Sequence, residues 1–266
     1  MEKKMIFIDV DGTLVGYNEN GSFIPDSAKR AIQQARKNGH LVYLCTGRGM
    51  AEIDNDMMAI GFDGIIGAAG GFILENDEII YHKRMPVEDV KEIMAYLDNL
   101  EIAYYLESNS GLYCSDVMYE WMKNDPASMG FLEMMKFVKD ANLNDINKIS
   151  FVTLEVPYEE IENHFEQRFN LVKASWIEEG VDAGEISNQG ITKGSAISFL
   201  LNHLNISKEN TYAFGDSMND IEMFECVNTS IVMGNSMYEI ALFADFETKP
   251  LEEDGIEYGM KHFGLI

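Results

Sequence analysis

Three short apolar runs, Lys4 to Ile8, Leu41 to Cys45 and Thr211 to Phe214, each break off at a polar cluster that contains glycine. Asp9-Val10-Asp11-Gly12-Thr13-Leu14 follows the first, Thr46-Gly47-Arg48-Gly49 the second, and Gly215-Asp216-Ser217-Met218-Asn219-Asp220 the third. A run this short and this apolar reads as a strand buried on both faces of a parallel sheet. Ligands of open α/β sheets bind at the carboxyl ends of such strands, where these polar clusters fall. Helical spacing fills the intervals. Asp26 is expected to cap a helix through Lys37 with Ala28, Ala31, Ile32 and Ala35 on one face, and Gly39 suits its C′ position. A helix to about Ile60 and a strand over Gly64 to Gly67 continue the β-α-β rhythm.

Phe72 to Leu74 and Ile79 to Tyr81, separated by Asn76-Asp77, read as a hairpin. The character changes near Arg84. Pro86 opens a helix carrying Val90, Ile93, Met94 and Leu97. Ile102 to Leu106 and Leu112 to Cys114 then form an antiparallel pair around Asn109-Ser110-Gly111. A strand over Ile149 to Leu154, a helix over about Tyr158 to Phe169 and a strand over Leu171 to Trp176 extend the α+β pattern to about Glu185. The parallel rhythm returns with a helix from Thr192 through Leu204, the strand Thr211 to Phe214, a short helix, and the strand Ser230 to Met233. The expected organisation is an α/β core over 1–83 and 187–266, with an α+β domain over 84–186 inserted at a sheet edge.

Charge excludes several classes of partner. The 266 residues carry 20 Lys and Arg against 45 Asp and Glu, a net charge of −25. Such a surface repels nucleic acid and anionic lipid, both of which need clustered basic residues. The inserted segment, with 8 basic and 21 acidic residues, offers no basic clamp. An anionic substrate must therefore be met by a metal or a few placed cations. Nowhere do 18 apolar residues run together, and the apolar stretch at the N-terminus stops at Asp9, too soon for a signal peptide. Cys45, Cys114 and Cys226 are few and widely spaced, with no C-x-x-C, so a soluble, cytoplasmic protein without disulfides or a zinc site is expected.

Chemistry gathers in four segments. Asp9 and Asp11 project from one strand tip: one carboxylate can attack phosphorus in line, and the other can protonate a leaving alkoxide and then take a proton from water. Two carboxylates beside a phosphate dianion repel strongly, so a divalent cation between them is required. Cys45-Thr46-Gly47-Arg48 supplies a hydroxyl, a backbone N–H and the start of the next helix for phosphate oxygens, although Thr46 as a plain helix N-cap explains it as well. Lys193, in Gly190-Ile191-Thr192-Lys193-Gly194, sits in the first turn of a helix, where a cation opposes the macrodipole unless it serves an anion. Taken alone, it reads better as a solvated lysine. Asp216 and Asp220 can complete a hard, oxygen-ligated Mg²⁺ site, while acids at a helix start would also account for one of them. Each segment lies at a strand end or a helix start, and together they point to phosphoryl transfer.

In these residues the sequence resembles the haloacid dehalogenase superfamily of aspartyl-phosphate phosphatases, specifically its Cof-type branch with a C2B-like cap. Asp9-x-Asp11-x-Thr13 matches the first family motif, Thr46 the second, Lys193 the third, and Gly215 to Asp220 the fourth. Met233-Gly234-Asn235, Ala244-Asp245 and Glu253-Asp254-Gly255-Ile256 resemble the branch's C-terminal signature. The resemblance implies a doubly wound, Rossmann-like parallel-sheet core with an inserted α+β cap that closes over the site and excludes water. It also implies Asp9 as nucleophile and Asp11 as general acid/base. Mg²⁺ would be held by Asp9, the backbone carbonyl of Asp11 and Asp216, with Asp220 in support, while Thr46, Gly47, Lys193 and Asn219 would hold the phosphoryl oxygens. Two stretches depart from the branch: Ala69-Gly70-Gly71 stands where many relatives have Asn-Gly-Ala, and Lys249-Pro250-Leu251 replaces a polar stretch. Neither touches the four motifs, but both put substrate contacts in question. Tyr104, Tyr113, Trp176 and Glu185 are candidates to touch the leaving group, with core packing or solvated surface the stronger account of each.

The expectation is a Mg²⁺-dependent phosphatase of small phosphorylated metabolites, sugar phosphates or similar monoesters, acting as a monomer or small homo-oligomer. A phosphomutase with the same nucleophile and a non-catalytic binding protein on this fold are the alternatives. A serine esterase built on Gly215-Asp216-Ser217 lacks a partner histidine near His262. His40, His82, His164, His203 and His262 are scattered, and neither a P-loop nor G-x-G-x-x-G is present.

Overall fold

Met5, Ile6, Phe7 and Ile8 are all fully buried, as a strand apolar on both faces must be. The structure, a computed structural model, describes residues 3–19, 21–125, 128–174 and 180–266. In chain order, β1 (Met5–Ile8), β2 (Gly16–Asn18) and β3 (Gly21–Phe23) precede α1 (Asp26–Lys37) and β4 (Leu41–Cys45). Then come α2 (Asn55–Ile60), β5 (Gly64–Gly67), β6 (Phe72–Glu75), β7 (Glu78–His82) and α3 (Val87–Asn99). β8 (Ala103–Ser108), β9 (Gly111–Cys114), α4 (Asp116–Met122), α5 (Met129–Leu132) and β10 (Met135–Phe137) follow. Next are β11 (Ile146–Thr153), α6 (Tyr158–Phe165), β12 (Phe169–Lys173), β13 (Asp182–Asn188) and α7 (Lys193–Leu204). The chain ends with β14 (Thr211–Gly215), α8 (Ile221–Cys226), β15 (Thr229–Val232), α9 (Tyr238–Ala241), β16 (Phe246–Glu247) and α10 (Gly255–His262).

Two compact units result. The first holds 1–47, 54–82 and 192–266; the second holds 48–53 and 83–191. In the first, eight strands run in the order β16-β15-β14-β1-β4-β5-β6-β7. β16 through β5 are parallel, and β6 and β7 turn back as an antiparallel hairpin at one edge. The order reverses at β1, which has β4 on one side and β14 on the other, the switch point where an open sheet leaves its crevice. Phe7, Tyr43, Ala213 and Val232 pack with Ala196, Ile197 and Leu200 of α7 into one apolar cluster. The second unit is a six-stranded sheet, β10-β9-β8-β11-β13-β12, mostly antiparallel. Tyr104, Leu106, Ile149, Phe151 and Ile186 on one of its faces pack with Val90, Ile93 and Leu97 of α3 and Ile161 and Phe165 of α6.

Local expectations fail where side-chain chemistry was asked to set a boundary. Asp26 is the first residue of α1, not its cap: Pro25 occupies that place and no side chain caps the helix. Pro86 likewise precedes α3 as its N-cap. The helix expected to reach Phe169 ends at Phe165, and Phe169 opens β12 against β13 instead. β12 stops at Lys173; the remainder of the strand expected to reach Trp176 lies outside the described residues. β13 is unannounced by any apolar run, because Asp182, Glu185, Ser187 and Asn188 interrupt it. Among the described residues, no helix is long and apolar enough to cross a membrane.

Candidate active site

Strand register brings the acids together. Ile8 pairs with Phe214 in one direction and with Leu44 in the other, and the Asp9 N–H donates to the Phe214 carbonyl at 3.0 Å. Asp9 therefore leaves the sheet beside Gly215-Asp216 on one side and Cys45-Thr46 on the other. Lys193 arrives from the first turn of α7, whose N-cap Thr192 accepts a hydrogen bond from the Ser195 N–H. Its ammonium is buried, 2% exposed, and donates to Asp9 Oδ1 at 2.5 Å and to Asp220 Oδ1 at 2.6 Å. The solvated-lysine account is thereby set aside. Asp220 Oδ2 accepts from the backbone N–H groups of Asp216 at 3.0 Å and Ser217 at 3.2 Å, so both of its oxygens fix neighbouring groups.

Gly12 explains its own place in the first motif. It adopts φ +84°, and a Cβ there would fall within the Asp216 carboxylate. Thr13 Oγ1 donates to Asp216 Oδ1 at 3.0 Å, tying the two acid loops together across 203 residues of sequence. Gly215 is equally constrained, since a Cβ would lie 2.6 Å from Asp220 Oδ2. Ligand oxygens of Asp9, Asp216 and Asp220 all lie within 4.8 Å of one another. The Asp11 carboxylate is outside this group and exposed, and Tyr17 Oη of β2 donates to its Oδ1 at 2.5 Å.

Electrostatics follow from the crowding. Burial, then the Asp220 charge, drives the Asp9 carboxyl well above its usual range, and Lys193 opposes them. Burial and the Asp220 charge also push Asp216 up to about 6, against its bond from Thr13. Burial pulls Lys193 down, but Asp220 and Asp9 outweigh it and hold the ammonium above its ordinary value. One lysine thus serves three clustered carboxylates, two of them buried and the third partly so. An all-oxygen, anionic donor set of this kind suits a hard divalent cation such as Mg²⁺.

The remaining phosphate-binding candidates are placed less uniformly. Thr46 is fully buried; its N–H donates to the Ile66 carbonyl at 2.9 Å and its carbonyl accepts from Ala69 at 3.0 Å. It caps no helix, and the expected helix start after Gly47 is a single turn over Met50–Glu52, with α2 beginning only at Asn55 behind its cap Asp54. Gly47 borders open space. Asn219 is exposed, and its Oδ1 accepts from Ser217 Oγ at 2.9 Å. Of the leaving-group candidates, Tyr104 and Tyr113 belong to the apolar core of the second unit, Glu185 is ion-paired to Lys148, and Trp176 lies outside the described residues.

Three contributors were given no role at the site by the sequence reading. Tyr17 carries no signal beyond an aromatic in a short strand near Asp11. Gly70 does: it belongs to the departing Ala69-Gly70-Gly71, has φ +104°, and a Cβ on it would strike the Thr192 carbonyl just before Lys193. Asn235, in the quoted C-terminal signature, donates through Nδ2 to the Gly12 carbonyl at 2.8 Å.

Comparison with known proteins agrees with this geometry. A family model for haloacid dehalogenase-like hydrolases matches residues 6–260. The Bacillus subtilis protein YkrA is 28% identical over 272 residues, covering 100% of both chains. Phosphatase YwpJ of Bacillus subtilis is 26% identical over 290 residues, covering 97% of this chain and 99% of its own. Among solved structures, the HAD subclass IIB sugar phosphatase BT4131 superposes with a TM-score of 0.80 at 26% identity, covering 99% of this chain and 100% of its own.

Proposed function

Because the chain belongs to the haloacid dehalogenase-like hydrolases, we propose that it hydrolyses small phosphomonoesters, with sugar phosphates as the substrate class, through a phosphorylated Asp9. The observation that carries this reading is the buried Lys193 shared by Asp9 and Asp220, with Asp216 alongside. Lys193 holds Asp9 Oδ1 at 2.5 Å, which fixes the carboxylate and opposes the burial that would protonate it. An ionised Asp9 is the form that can attack phosphorus, displacing the alkoxide as the P–O(Asp9) bond forms. Asp11, exposed and bonded to Tyr17, would exchange that partner for substrate, give its proton to the alkoxide and later remove one from the water that cleaves the acyl phosphate. Lys193, Thr46, the Gly47 N–H and Asn219 would hold the phosphoryl oxygens as charge develops on them. Asp9, Asp216 and the Asp11 carbonyl would hold Mg²⁺, with Asp220 orienting Asp216 through its backbone N–H. Bound there, the cation neutralises the carboxylates and polarises the phosphoryl group.

Supporting this reading are the all-oxygen donor set and the sugar phosphatase among the matching structures. A cytoplasmic protein, monomeric or a small homo-oligomer, acting on metabolites suits the acidic composition and sparse cysteines. Asp9→Asn is expected to lower turnover of p-nitrophenyl phosphate by about 10⁴-fold or more. EDTA should abolish wild-type turnover, and Mg²⁺ should restore it. Appreciable metal-independent hydrolysis by Asp9→Asn would sink the reading. A panel of phosphorylated sugars, nucleotides and pyridoxal phosphate then identifies the substrate.

A further inference from the structure

The C-terminal signature has no part in the chemistry above, yet its residues converge on the nucleophile loop. Gly234 allows the approach: its N–H donates to the Lys249 carbonyl at 3.2 Å, and a Cβ on it would lie 2.7 Å from the Pro250 nitrogen. Pro250 and Leu251 are thereby drawn beside residue 235. The Leu251 N–H donates to Asn235 Oδ1 at 2.8 Å, while Asn235 Nδ2 donates to the Gly12 carbonyl at 2.8 Å. The segment that receives the Asn235 amide is itself anchored: the Thr248 N–H donates to Val232, Thr248 Oγ1 donates to the Gly255 carbonyl at 2.7 Å, and the Gly255 N–H donates to Pro250. Asn235 accepts from the backbone N–H of Leu251, so the contact does not depend on the Leu251 side chain.

We propose that Asn235 is a positioning residue, an amide strut that spans from the anchored Leu251 backbone to the Gly12 carbonyl and so sets where Asp11 and Asp216 stand. Gly12 follows Asp11 directly, and its α-carbon is packed against the Asp216 carboxylate. Rotation of the Gly12 peptide therefore moves the acid on one side and displaces the metal-binding carboxylate on the other. The loop's internal hydrogen bonds, Gly12 N–H to Val15 and Leu14 and Val15 N–H to Val10, close it on itself, and Tyr17 Oη donates to Asp11 from the strand that follows. Thr13 Oγ1 to Asp216 joins one acid loop to the other, and Asn235 adds a tie from the Gly12 carbonyl to the Leu251 backbone.

The inference rests on the proposed phosphatase reading, and its test separates the two. Asn235→Asp keeps the size of the side chain and the acceptor for Leu251 but loses the donor to Gly12; Asn235→Ala loses both without adding charge. Each variant is compared with wild type for kcat and KM on p-nitrophenyl phosphate with saturating Mg²⁺, for thermal midpoint, and for amide exchange of the 10–15 segment. Displacement of catalytic groups by about 1 Å can cost up to about a hundredfold. Both variants should lose about tenfold or more in kcat, with KM and thermal midpoint little changed and faster exchange at 10–15. Wild-type kcat in Asn235→Ala, or unchanged exchange at 10–15 in both variants, overturns the strut. A wild-type protein that hydrolyses no phosphomonoester overturns the phosphatase reading instead, and the exchange comparison still decides the strut.

Discussion

Each unit of the molecule buries one lysine between two carboxylates, and the two clusters differ in how their partners are delivered. In the second unit, Lys148 Nζ reaches Glu185 at 2.6 Å and Glu107 at 3.3 Å. Its partners are products of a single sheet register: Lys148 stands opposite Glu107 in the β11–β8 pair, and Ser150, two residues on, stands opposite Glu185 in the β11–β13 pair. In the first unit, Asp9, Lys193 and Asp220 come from a strand end, a helix start and a loop, with Lys193 184 residues from Asp9 and 27 from Asp220. Lysine and carboxylates alone therefore do not mark a site. The distinguishing feature is the third acid: Asp9, Asp216 and Asp220 gather their ligand atoms within 4.8 Å, whereas the Lys148 cluster is not such a group among the described residues. Surplus negative charge at a strand end suits a divalent cation, which in turn offsets the repulsion of a phosphate, whereas the mid-sheet lysine is matched to its partners by register.

Replacing each lysine in turn is the sharpest way to break this comparison. Lys193→Met removes the ammonium from the proposed phosphoryl site and should lower kcat by about 10²–10³-fold. Lys148→Met should leave kcat on p-nitrophenyl phosphate near wild type but strand Glu107, which is 1% exposed, without its counter-charge. Losing one partner of a buried pair costs about 3–5 kcal/mol, readable as a lower urea midpoint. Equal losses of turnover in the two variants would erase the distinction.

Much of the first cluster was legible because a parallel strand announces its end: an apolar run meets an acid and a glycine, as at Asp9 to Gly12 and Gly215-Asp216. The burial of Lys193 was not, since a lysine in a first helical turn reads as solvated until two carboxylates from elsewhere are known to meet it. Thr46 misled for the related reason that a strand-to-turn threonine resembles an N-cap, and only tertiary structure shows that α2 starts nine residues later, at Asn55. The second cluster was nearly invisible. Lys148 and Glu107 are charges inside strands, which a sequence reading assigns to a solvated face, and β13 lacks the apolar run that would have exposed the register. Asn235 was noticed through resemblance and left without a role, because its partner Gly12 lies 223 residues away.

A smaller, pH-dependent difference should follow from Asp216. Its carboxyl is raised from 3.8 to about 6 by burial and then by Asp220, so between those values the folded protein holds a proton that the unfolded chain has released. That contribution to stability is present below about pH 4 and is lost as pH rises through about 6. Under the proposed function, Mg²⁺ bound to the ionised acids would reverse the penalty, so the Mg²⁺-induced rise in thermal midpoint should be a few degrees larger at about pH 7.5 than at about pH 5. Glu107 is also raised, chiefly by burial against the opposing charge of Lys148, but its cluster is not among the groups of described residues that gather three ligand atoms for a metal. Glu107→Gln should therefore leave the pH dependence of the Mg²⁺ effect intact, and its disappearance in that variant would place the metal's carboxylates in the wrong unit.

Within the second unit, the hydrogen bonds to Glu107 give an effect smaller than that of Lys148→Met. Ser150 Oγ donates to Glu107 Oε1 at 2.7 Å, on the oxygen that Lys148 also approaches, while Glu107 Oε2 is buried with no partner among the described residues. Removing the hydroxyl in Ser150→Ala takes one hydrogen bond from a charged, buried acceptor that is already under-served, a loss of about 1.5–3 kcal/mol. Lys148 remains to hold the charge, so the cost should fall below that of Lys148→Met. Turnover should not change, because the cluster's geometry comes from strand register and it is separate from the proposed catalytic acids. Denaturant melts rank the two variants, and a Ser150→Ala protein with wild-type stability but reduced kcat would show that the mid-sheet cluster is part of the catalytic apparatus after all.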